Sequence, residues 1–488
     1  MQETDTSDSL GPSAEPPPEA PQASRPLSRR HLIGAGGVAG LGGAIGLGYW
    51  LREQQRTGLA LDASQQAGHL LRRAGFAPTA AEVSAAAKAG LGATTDRLLH
   101  PERVDDSSLD QKLTGMALDL TLVPQLREWW LTRMTLSKRP LLEKMTLFWH
   151  GLLTSSFRKQ GKTYSLMATQ NKFLRDHALG NLRDMLVGIT KDGMMLKWLD
   201  GVANNRIHPN ENYARELMEL FTMGVGNYTE TDVREGARAL TGWFVDASGT
   251  VSFRPRAFDS GSKTFLGRTG NFGLEDVIDI ILAHPATPKH TATKLWEFFV
   301  YPGPSDADLR PVIDAYHSSK YDIRAMVAAI FNSPAFYTPK AYRGLVKSPT
   351  ELIVGLNRQF GLALSPRLVA AGETMGQALL DPPNVAGWPG GPDWLSTGGW
   401  MARMRFLLYQ SAAQQTALLA DLRSHGVSDH NAAIDHMVSV MVDGSLTPAA
   451  LQSIREHVTS QAGGSGLSGA AVADALFLVA STPEYQLA

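Results

Sequence analysis

The stretch Arg206-Ile-His-Pro-Asn-Glu-Asn-Tyr-Ala-Arg-Glu-Leu-Met-Glu-Leu-Phe221 combines apolar residues at helical spacing with many polar ones. Its apolar stripe consists of Tyr213, Leu217, Leu220 and Phe221. Residues that recur every three or four positions line one face of an α-helix. Pro209 suits a first helical position and Gly224 suits a stop, so the pattern predicts a helix over about 210–223.

Three polar residues of this helix fall on one side of the apolar stripe. At roughly 100° per residue, Asn212, Glu216 and Glu219 lie within a sector of about 60°. A carboxylate at the edge of a buried face is either paired or functional. Two interpretations stay open: a structural network in which Arg215 neutralises Glu219 four residues later, or a ligand-binding or catalytic site.

The same helical spacing continues along most of the chain. From residue 60 onward nearly every apolar segment repeats at three or four residues, which predicts an all-α fold with a large multi-helix domain at 60–488. One exception is the segment 244–267. There Val251 and Phe253 flank Ser252 after a Ser-Gly turn, so we predict a short β-hairpin.

A faint internal echo bears on domain organisation. The segment Ala329-Ile-Phe-Asn-Ser-Pro-Ala-Phe-Tyr337 resembles Phe477-Leu-Val-Ala-Ser-Thr-Pro-Glu-Tyr485, and each closes a helix with a Ser/Pro stop and an aromatic residue. The separation is too long for a solenoid repeat. The echo therefore suggests two related helical halves, about 60–340 and 341–488.

Composition excludes several classes of protein. The 488 residues are 43% hydrophobic and 19% charged, which is typical of a globular chain. Lys and Arg number 46 against 47 Asp and Glu, so a net charge of -1 gives no support for nucleic-acid binding. Cysteine is absent, which excludes disulfides and thiolate chemistry. Any catalysis must use oxygen and nitrogen side chains, and the composition identifies no cofactor.

The amino-terminal region carries an export pattern. Residues 1–27 are rich in Pro, Ser, Ala and acidic residues and predict a disordered leader. Paired arginines, Arg29 and Arg30, then precede an apolar run at 33–51, so residues 28–52 predict a twin-arginine signal that stays as a membrane anchor. The alternative is a chance Arg-Arg pair before a membrane helix. We expect a periplasmic or cell-envelope protein, anchored at the inner membrane.

Several long motifs together resemble one known family. They are Thr146-Leu-Phe-Trp-His150, Leu174-Arg-Asp-His-Ala-Leu-Gly-Asn181, Asn210-Glu-Asn-Tyr-Ala-Arg-Glu-Leu217, Lys347-Ser-Pro-Thr-Glu-Leu352 and Pro382-Pro-Asn-Val-Ala-Gly-Trp-Pro-Gly-Gly391. This set resembles the bacterial family catalogued as domain of unknown function 1800, from about His69 to Leu487. The resemblance implies an exported helical protein with no agreed activity. It also implies a partner, because members tend to be encoded beside a second exported family that resembles sulfatases.

One motif departs from the family pattern. Members often show Phe-Trp-His-x-His-Phe, whereas this chain has Phe148-Trp-His-Gly-Leu-Leu153. The second histidine is missing, so a metal site that depends on it is not expected. The histidines and glutamates of the chain also lack a spacing such as His-Glu-x-x-His, and we therefore predict no metal ligands.

Two histidines are candidates for assisting in catalysis. His150 lies opposite the apolar stripe of its predicted helix, where a solvated face is the simpler interpretation. His177 lies just before Gly180 at a predicted helix stop, where an imidazolium would cap the negative helix end.

A proline- and glycine-rich loop at 381–394 is the second informative region. Four prolines and three glycines predict a rigid irregular backbone that presents Trp388 and Trp394. Rigid aromatic loops suit stacking against sugar rings, although the same tryptophans can plug the core.

These patterns lead to three functional hypotheses. The first is an enzyme that acts on an envelope or extracellular polymer of carbohydrate type, with the helix segment 208–219 meeting His150, His177 and the loop at 381–394. Its catalytic candidates are Glu216 and Glu219 as acid and base, assisted by His150 or His177. Its substrate-binding candidates are Asn210, Asn212, Arg215, Asn384 and Trp388. The alternatives are a non-catalytic scaffold for a co-exported sulfatase-like hydrolase and a metal-dependent oxidoreductase loaded before export.

Overall fold

A computed structural model describes residues 60–161, 165–462 and 466–488. The predicted leader at 1–27 and the predicted signal and anchor at 28–52 lie outside the described residues. Within the described ranges, none of the helices has the length and apolar character needed to cross a bilayer.

The described residues form an all-α fold with two small antiparallel hairpins, as the sequence predicts. The first helices are α1 (Ala63–Ala74), α2 (Ala80–Ala89), α3 (Leu91–Leu99), α4 (Ser107–Gly115), α5 (Val123–Leu136), α6 (Pro140–Leu152), α7 (Leu166–Asp176), α8 (Leu182–Thr190), α9 (Gly193–Trp198), α10 (Asn212–Glu216) and α11 (Glu230–Ala239). The later helices are α12 (Leu274–Leu282), α13 (Ala286–Phe299), α14 (Asp306–Ser318), α15 (Ile323–Phe331), α16 (Pro349–Gln359), α17 (Arg367–Thr374), α18 (Thr397–Ala413), α19 (Gln415–Ser424), α20 (His430–Val442), α21 (Pro448–Gln461), α22 (Gly469–Ala480) and α23 (Pro483–Gln486).

The two hairpins lie within and just beyond the predicted segment 244–267. The strands are β1 (Trp243–Val245), β2 (Val251–Phe253), β3 (Lys263–Phe265) and β4 (Arg268–Gly270). Strand β1 pairs with β2 so that Trp243 lies opposite Phe253. Strand β3 pairs with β4. The strand predicted from the alternation of Val251 and Phe253 about Ser252 is therefore confirmed as β2.

Two apolar clusters form the interior. The first is built from side chains between Ala67 and Ala341. The second is built mainly from helices after Leu352, but it also takes earlier side chains such as Phe76 and the fully buried Trp130 of α5. The cores are thus interleaved along the chain, and the division into related halves stays a prediction.

A largely buried carboxylate, with 10% of its side chain exposed, ties distant parts of the chain together. Asp443 accepts hydrogen bonds from Arg72 at 3.1 Å, from Arg343 at 2.8 Å and from the Tyr342 hydroxyl at 2.8 Å. Burial alone would raise the pKa of the Asp443 carboxyl, but the two guanidinium groups hold it well below its usual range. Asp443 is therefore ionised in the folded protein.

A second buried carboxylate is saturated in the same way. Glu143 on α6 has no solvent exposure and accepts hydrogen bonds from Arg133 and Arg175, each at 2.8 Å. The Trp130 indole N–H lies 3.3 Å from the same carboxylate. Burial would raise the pKa of Glu143, and the two arginines lower it below its ordinary value.

The helix predicted over 210–223 is shorter and less regular than expected. The prediction that Pro209 opens it is wrong, because α10 begins at Asn212. Asn204 Oδ1 accepts the Asn210 N–H at 2.9 Å, and Asn210 Oδ1 accepts the Asn212 N–H at 3.0 Å, so these amides hold the chain in a turn. The predicted stop is confirmed, since Gly224 has a φ of 83° that favours glycine.

Candidate functional site

The second half of the predicted helix is a π-helix, Leu217–Thr222. Its wide turn is closed by the Met223 N–H, which donates to the Met218 carbonyl at 2.8 Å. The Leu220 carbonyl lies 3.0 Å from Nε2 of His290 on α13, which fixes the turn from outside. Such turns are rare and occur frequently at functional sites.

Two half-buried carboxylates lie on this irregular helix. Glu216 ends α10 and Glu219 lies within the π-helix, where it accepts a hydrogen bond from the Tyr228 hydroxyl. Burial raises the pKa of Glu216, and the charge of Glu219 raises it further. Burial and the Glu219 carboxylate raise the pKa of Tyr228 to about 12, so its hydroxyl stays protonated and donates.

Arg215 does not pair with Glu219, contrary to one of the two open interpretations of the sequence. Arg215 forms hydrogen bonds of 2.7 and 2.8 Å to Glu230 and a longer one of 3.4 Å to Glu211. The Arg215 side chain therefore points toward the start of α11, because Glu230 is the first residue of that helix. Within the described part of the chain, no lysine or arginine forms an ion pair with Glu216 or Glu219.

The two asparagines predicted to bind substrate have structural partners. The Asn210 carboxamide and backbone N–H hold the turn before α10. Asn212 donates through Nδ2 to Asp200 at 3.1 Å, and Lys159 lies 3.2 Å from the same carboxylate. Asn212 is exposed to solvent, but its side-chain amide already donates a hydrogen bond to Asp200.

The expectation that His150 lies on a solvated face is wrong. Its side chain is buried, and its Nε2 accepts the Leu380 N–H at 3.1 Å. The ring lies 5.3 Å from the Trp130 ring and 5.3 Å from the Trp388 ring. Burial, with a smaller effect of the Arg127 charge, lowers the pKa of His150 to about 3. The imidazole is therefore neutral at ordinary pH.

The loop at 381–394 packs against the end of α6 and places the Trp388 ring beside His150. Gly387 has a φ of 87°, and a Cβ there would come within 2.5 Å of the Gly151 carbonyl oxygen on α6. Asn384 is exposed, and its Oδ1 accepts the Ala386 N–H at 2.9 Å within the loop. Trp394 is buried, so of the two tryptophans only the half-buried Trp388 lies near the surface.

His177 occupies the capping position that the sequence suggested as one interpretation. It follows the last residue of α7, and its Nδ1 lies 2.9 Å from the Phe173 carbonyl oxygen. Its ring packs against Phe173 with centroids 4.3 Å apart.

An aromatic cleft of about 290 Å³ lies beside the first hairpin, and sequence reasoning missed it. Its aromatic lining is Trp243, Phe253 and Phe258. Ring centroids are 5.2 Å apart between the first two and 5.6 Å apart between the last two. The concentration of aromatic residues between 243 and 258 is a sequence signal that could have found this cleft.

Two charged residues stand at the edge of the aromatic cleft. Lys191 Nζ lies 5.4 Å from the Trp243 ring centroid and 3.4 Å from a Glu275 carboxylate oxygen. Ala239, the last residue of α11, also lines the cleft, whereas Tyr228 lies just before that helix. The carboxylates and the cleft are therefore near opposite ends of α11, a helix of about 15 Å.

The predicted site residues fall into separate groups. Glu216 and Glu219 lie together with Tyr228, whereas His150 lies with Trp388. Among the described residues, the hydrogen bonds and ring contacts of these side chains run within each group and not between the groups. The predicted convergence of the two regions into one cleft stays a prediction.

These features define an all-α protein with a carboxylate pair on a π-helix and a separate aromatic cleft. The chain belongs to the family described as "Protein of unknown function (DUF1800)", whose family model matches residues 69–487. No curated protein and no solved structure matches the chain.

Proposed function

We propose that this protein binds a carbohydrate polymer of the cell envelope at the aromatic cleft. The observation that carries the proposal is the wall formed by Trp243, Phe253 and Phe258. Phe253 is 43% exposed, so this wall offers apolar surface that a ligand can cover. Aromatic faces of this kind pack against the apolar faces of sugar rings, because both surfaces are flat and gain by leaving water.

The charged edge of the cleft suits sugar hydroxyl groups. The Lys191 ammonium offers hydrogen-bond donors and the Glu275 carboxylate offers acceptors. Hydrogen bonds from Arg183 and Lys191 lower the pKa of Glu275, so this carboxylate is ionised and accepts. An apolar surface with a few fixed polar groups is the usual composition of a ligand site.

The envelope location in this proposal rests on the amino-terminal pattern. Arg29 and Arg30 followed by the apolar run at 33–51 support export by the twin-arginine route and retention at the membrane. An exported, anchored protein meets the polysaccharides of the envelope rather than cytoplasmic metabolites.

The test is a binding assay with a panel of soluble polysaccharides and oligosaccharides of envelope type, followed by calorimetry. Phe253→Ala and Trp243→Ala should weaken binding roughly tenfold each, since one aromatic contact is removed. Tyr409→Ala is a matched control, because Tyr409 is 42% exposed and lies on α18, outside the cleft.

Two results would contradict this proposal. One is equal binding by the Phe253→Ala and Tyr409→Ala variants, and the other is a wild-type protein that binds none of the panel. In the second case, capture of the co-exported sulfatase-like protein would favour the scaffold hypothesis instead.

Acid–base chemistry on the bound polymer is a second candidate function, favoured by the pair Glu216 and Glu219. Burial and the neighbouring charge raise the pKa of Glu216, which suits a proton donor, and the Tyr228 hydroxyl donates a hydrogen bond to Glu219. Both carboxylates stand on one helix rather than across a substrate, so they do not form a conventional glycosidase pair. His150 takes no part in this scheme, because its Nε2 already accepts the Leu380 N–H.

A further inference from the structure

A cluster of two histidines and one aspartate lies far along the chain from the sites described above. Asp421 is on α19, His425 follows the last residue of that helix, and His436 is on α20. One ligand atom from each residue lies within 4.8 Å of the other two. The two imidazole rings have centroids 4.8 Å apart and are tilted by 40°.

We propose that Asp421, His425 and His436 form a binding site for a borderline divalent metal ion, Zn²⁺ being the best match. Two imidazole nitrogens and one carboxylate oxygen are three of the ligands that zinc prefers, and a water molecule completes a tetrahedral site. Donor atoms around tetrahedral zinc are roughly 3.3 Å apart, so a modest side-chain rotation brings the three donors to binding distance. The side chain of His425 is 48% exposed and lies beyond the helix end, so solvent rather than packed protein surrounds much of the ring.

Hydrogen bonding already orients His425. Its Nδ1 lies 2.9 Å from the Asp421 backbone carbonyl oxygen. A ring that donates from Nδ1 to a carbonyl presents a lone pair on Nε2, and metal-binding histidines are commonly held this way.

The placement of the cluster also suits a dication. Asp421 and His436 are half-buried, and His425 is exposed, so the three side chains meet at the protein surface where an ion can enter. A bound dication would lie beside the half-buried carboxylate of Asp421.

The site is independent of the proposed carbohydrate cleft. Its residues lie between 421 and 436, on α19, just after it and on α20, whereas the cleft is built from residues between 191 and 275. A bound ion would connect the end of α19 to α20 and would therefore stabilise the folded protein by an amount that rises with the logarithm of the ion concentration above Kd.

Zinc titration of the whole purified protein tests the proposal. After treatment with a chelator, the protein is titrated with ZnCl₂ and, separately, with MgCl₂ by calorimetry. Bound metal is measured by elemental analysis. We expect about one equivalent of zinc and a zinc-dependent rise in Tm, with no comparable effect of magnesium, which prefers oxygen ligands.

Single variants assign the binding to the cluster. His425→Ala and His436→Gln should each weaken zinc binding by roughly tenfold or more and remove the rise in Tm. His317→Gln is the control, because His317 is an exposed histidine on α14, outside the cluster. His425 is exposed, so the His425→Ala variant should fold even if His436→Gln does not. Circular dichroism checks the folding of both variants. The proposal is overturned if the wild type takes up no more zinc than His425→Ala, or if His317→Gln loses as much zinc as the cluster variants.

Discussion

Carboxylates in two regions of the molecule differ in what surrounds them. Asp443 and Glu143 lie in the interior, and each is held by two arginines and a further donor. Glu216 and Glu219 are half-buried on a π-helix, where Tyr228 supplies a hydrogen bond but no cation is paired with either carboxylate in the described residues. A saturated carboxylate maintains structure, whereas an unsaturated one can act on a ligand. The following variants test that distinction.

The largest effect is expected from Asp443→Asn. Asparagine tolerates the left-handed backbone at this residue, where φ is 53°, so the change removes charge with little strain. Two buried guanidinium groups would lose their counter-ion, which should lower the free energy of unfolding by about 3–5 kcal/mol. Urea denaturation measures the loss.

The control for that variant is Asp306→Asn. Asp306 pairs with Lys289 at 2.7 Å, but both side chains are largely exposed, so a change of about 0.5 kcal/mol or less is expected.

The stability that Asp443 provides should also depend on pH. The pKa of Asp443 is lowered in the folded state, so its contribution to the free energy of unfolding is present above the unfolded pKa of about 3.9 and is lost as pH falls below that value. Equal denaturation midpoints for the two variants at pH 7 would contradict the structural role of Asp443.

An intermediate effect is expected from His150→Phe. The Leu380 N–H would lose its acceptor inside the protein, which should cost about 1–3 kcal/mol of stability. The folded pKa of His150 is about 3, below the unfolded value of about 6.5, so the unfolded state binds the proton first as pH falls. As pH falls between these two pKa values, protonation of His150 in the unfolded state should lower the free energy of unfolding of the wild type by up to about 1.4 kcal/mol per pH unit. The variant should lack this pH dependence.

Denaturation midpoints of wild type and His150→Phe, measured from pH 7 down to pH 4, provide the comparison. A variant that is as stable as the wild type and equally sensitive to acid would show that the buried imidazole does not hold the loop at 381–394.

The smallest effect on stability is expected from Glu216→Gln. The change relieves repulsion from Glu219, so stability at pH 7 should stay within about 0.5 kcal/mol of the wild type. The pKa of Glu216 is raised in the folded state, so its charge opposes folding more as pH rises above about 4.3, and the variant lacks that dependence. If the acid–base scheme is right, turnover of a bound polymer should be lost while the fold is kept.

The measurement pairs a denaturation curve with an assay of reducing ends released from polymer. A loss of stability as large as that of Asp443→Asn would end the distinction between the two groups of carboxylates. Retained turnover would remove Glu216 from the chemistry.

Local patterns explain which parts of the fold could be predicted from the sequence. Helical spacing and the alternation of Val251 and Phe253 depend on near neighbours, and both predictions were confirmed. The π-helix could not be predicted, because its Leu220 carbonyl is held by His290, a partner 70 positions away. Likewise, the burial of His150 depends on Leu380, which is 230 positions away.

The candidate sites divide in the same way. The aromatic residues between 243 and 258 are visible in the sequence, whereas their assembly into a cleft requires Lys191 and Glu275 from other elements. The four-residue spacing of Asp421 and His425 is also visible. The third member, His436, comes from the next helix, and only the packing of α19 and α20 reveals it.

The contact between Arg72 and Asp443 also constrains how the chain reaches its native state. These residues are 371 positions apart, and Arg343 joins the same carboxylate from 100 positions away. Such non-local contacts form late, because the loop they close must first be ordered. Helix α1 therefore acquires this counter-ion only once most of the chain, through residue 443, has been synthesised, so the contact closes the fold late in the production of the chain.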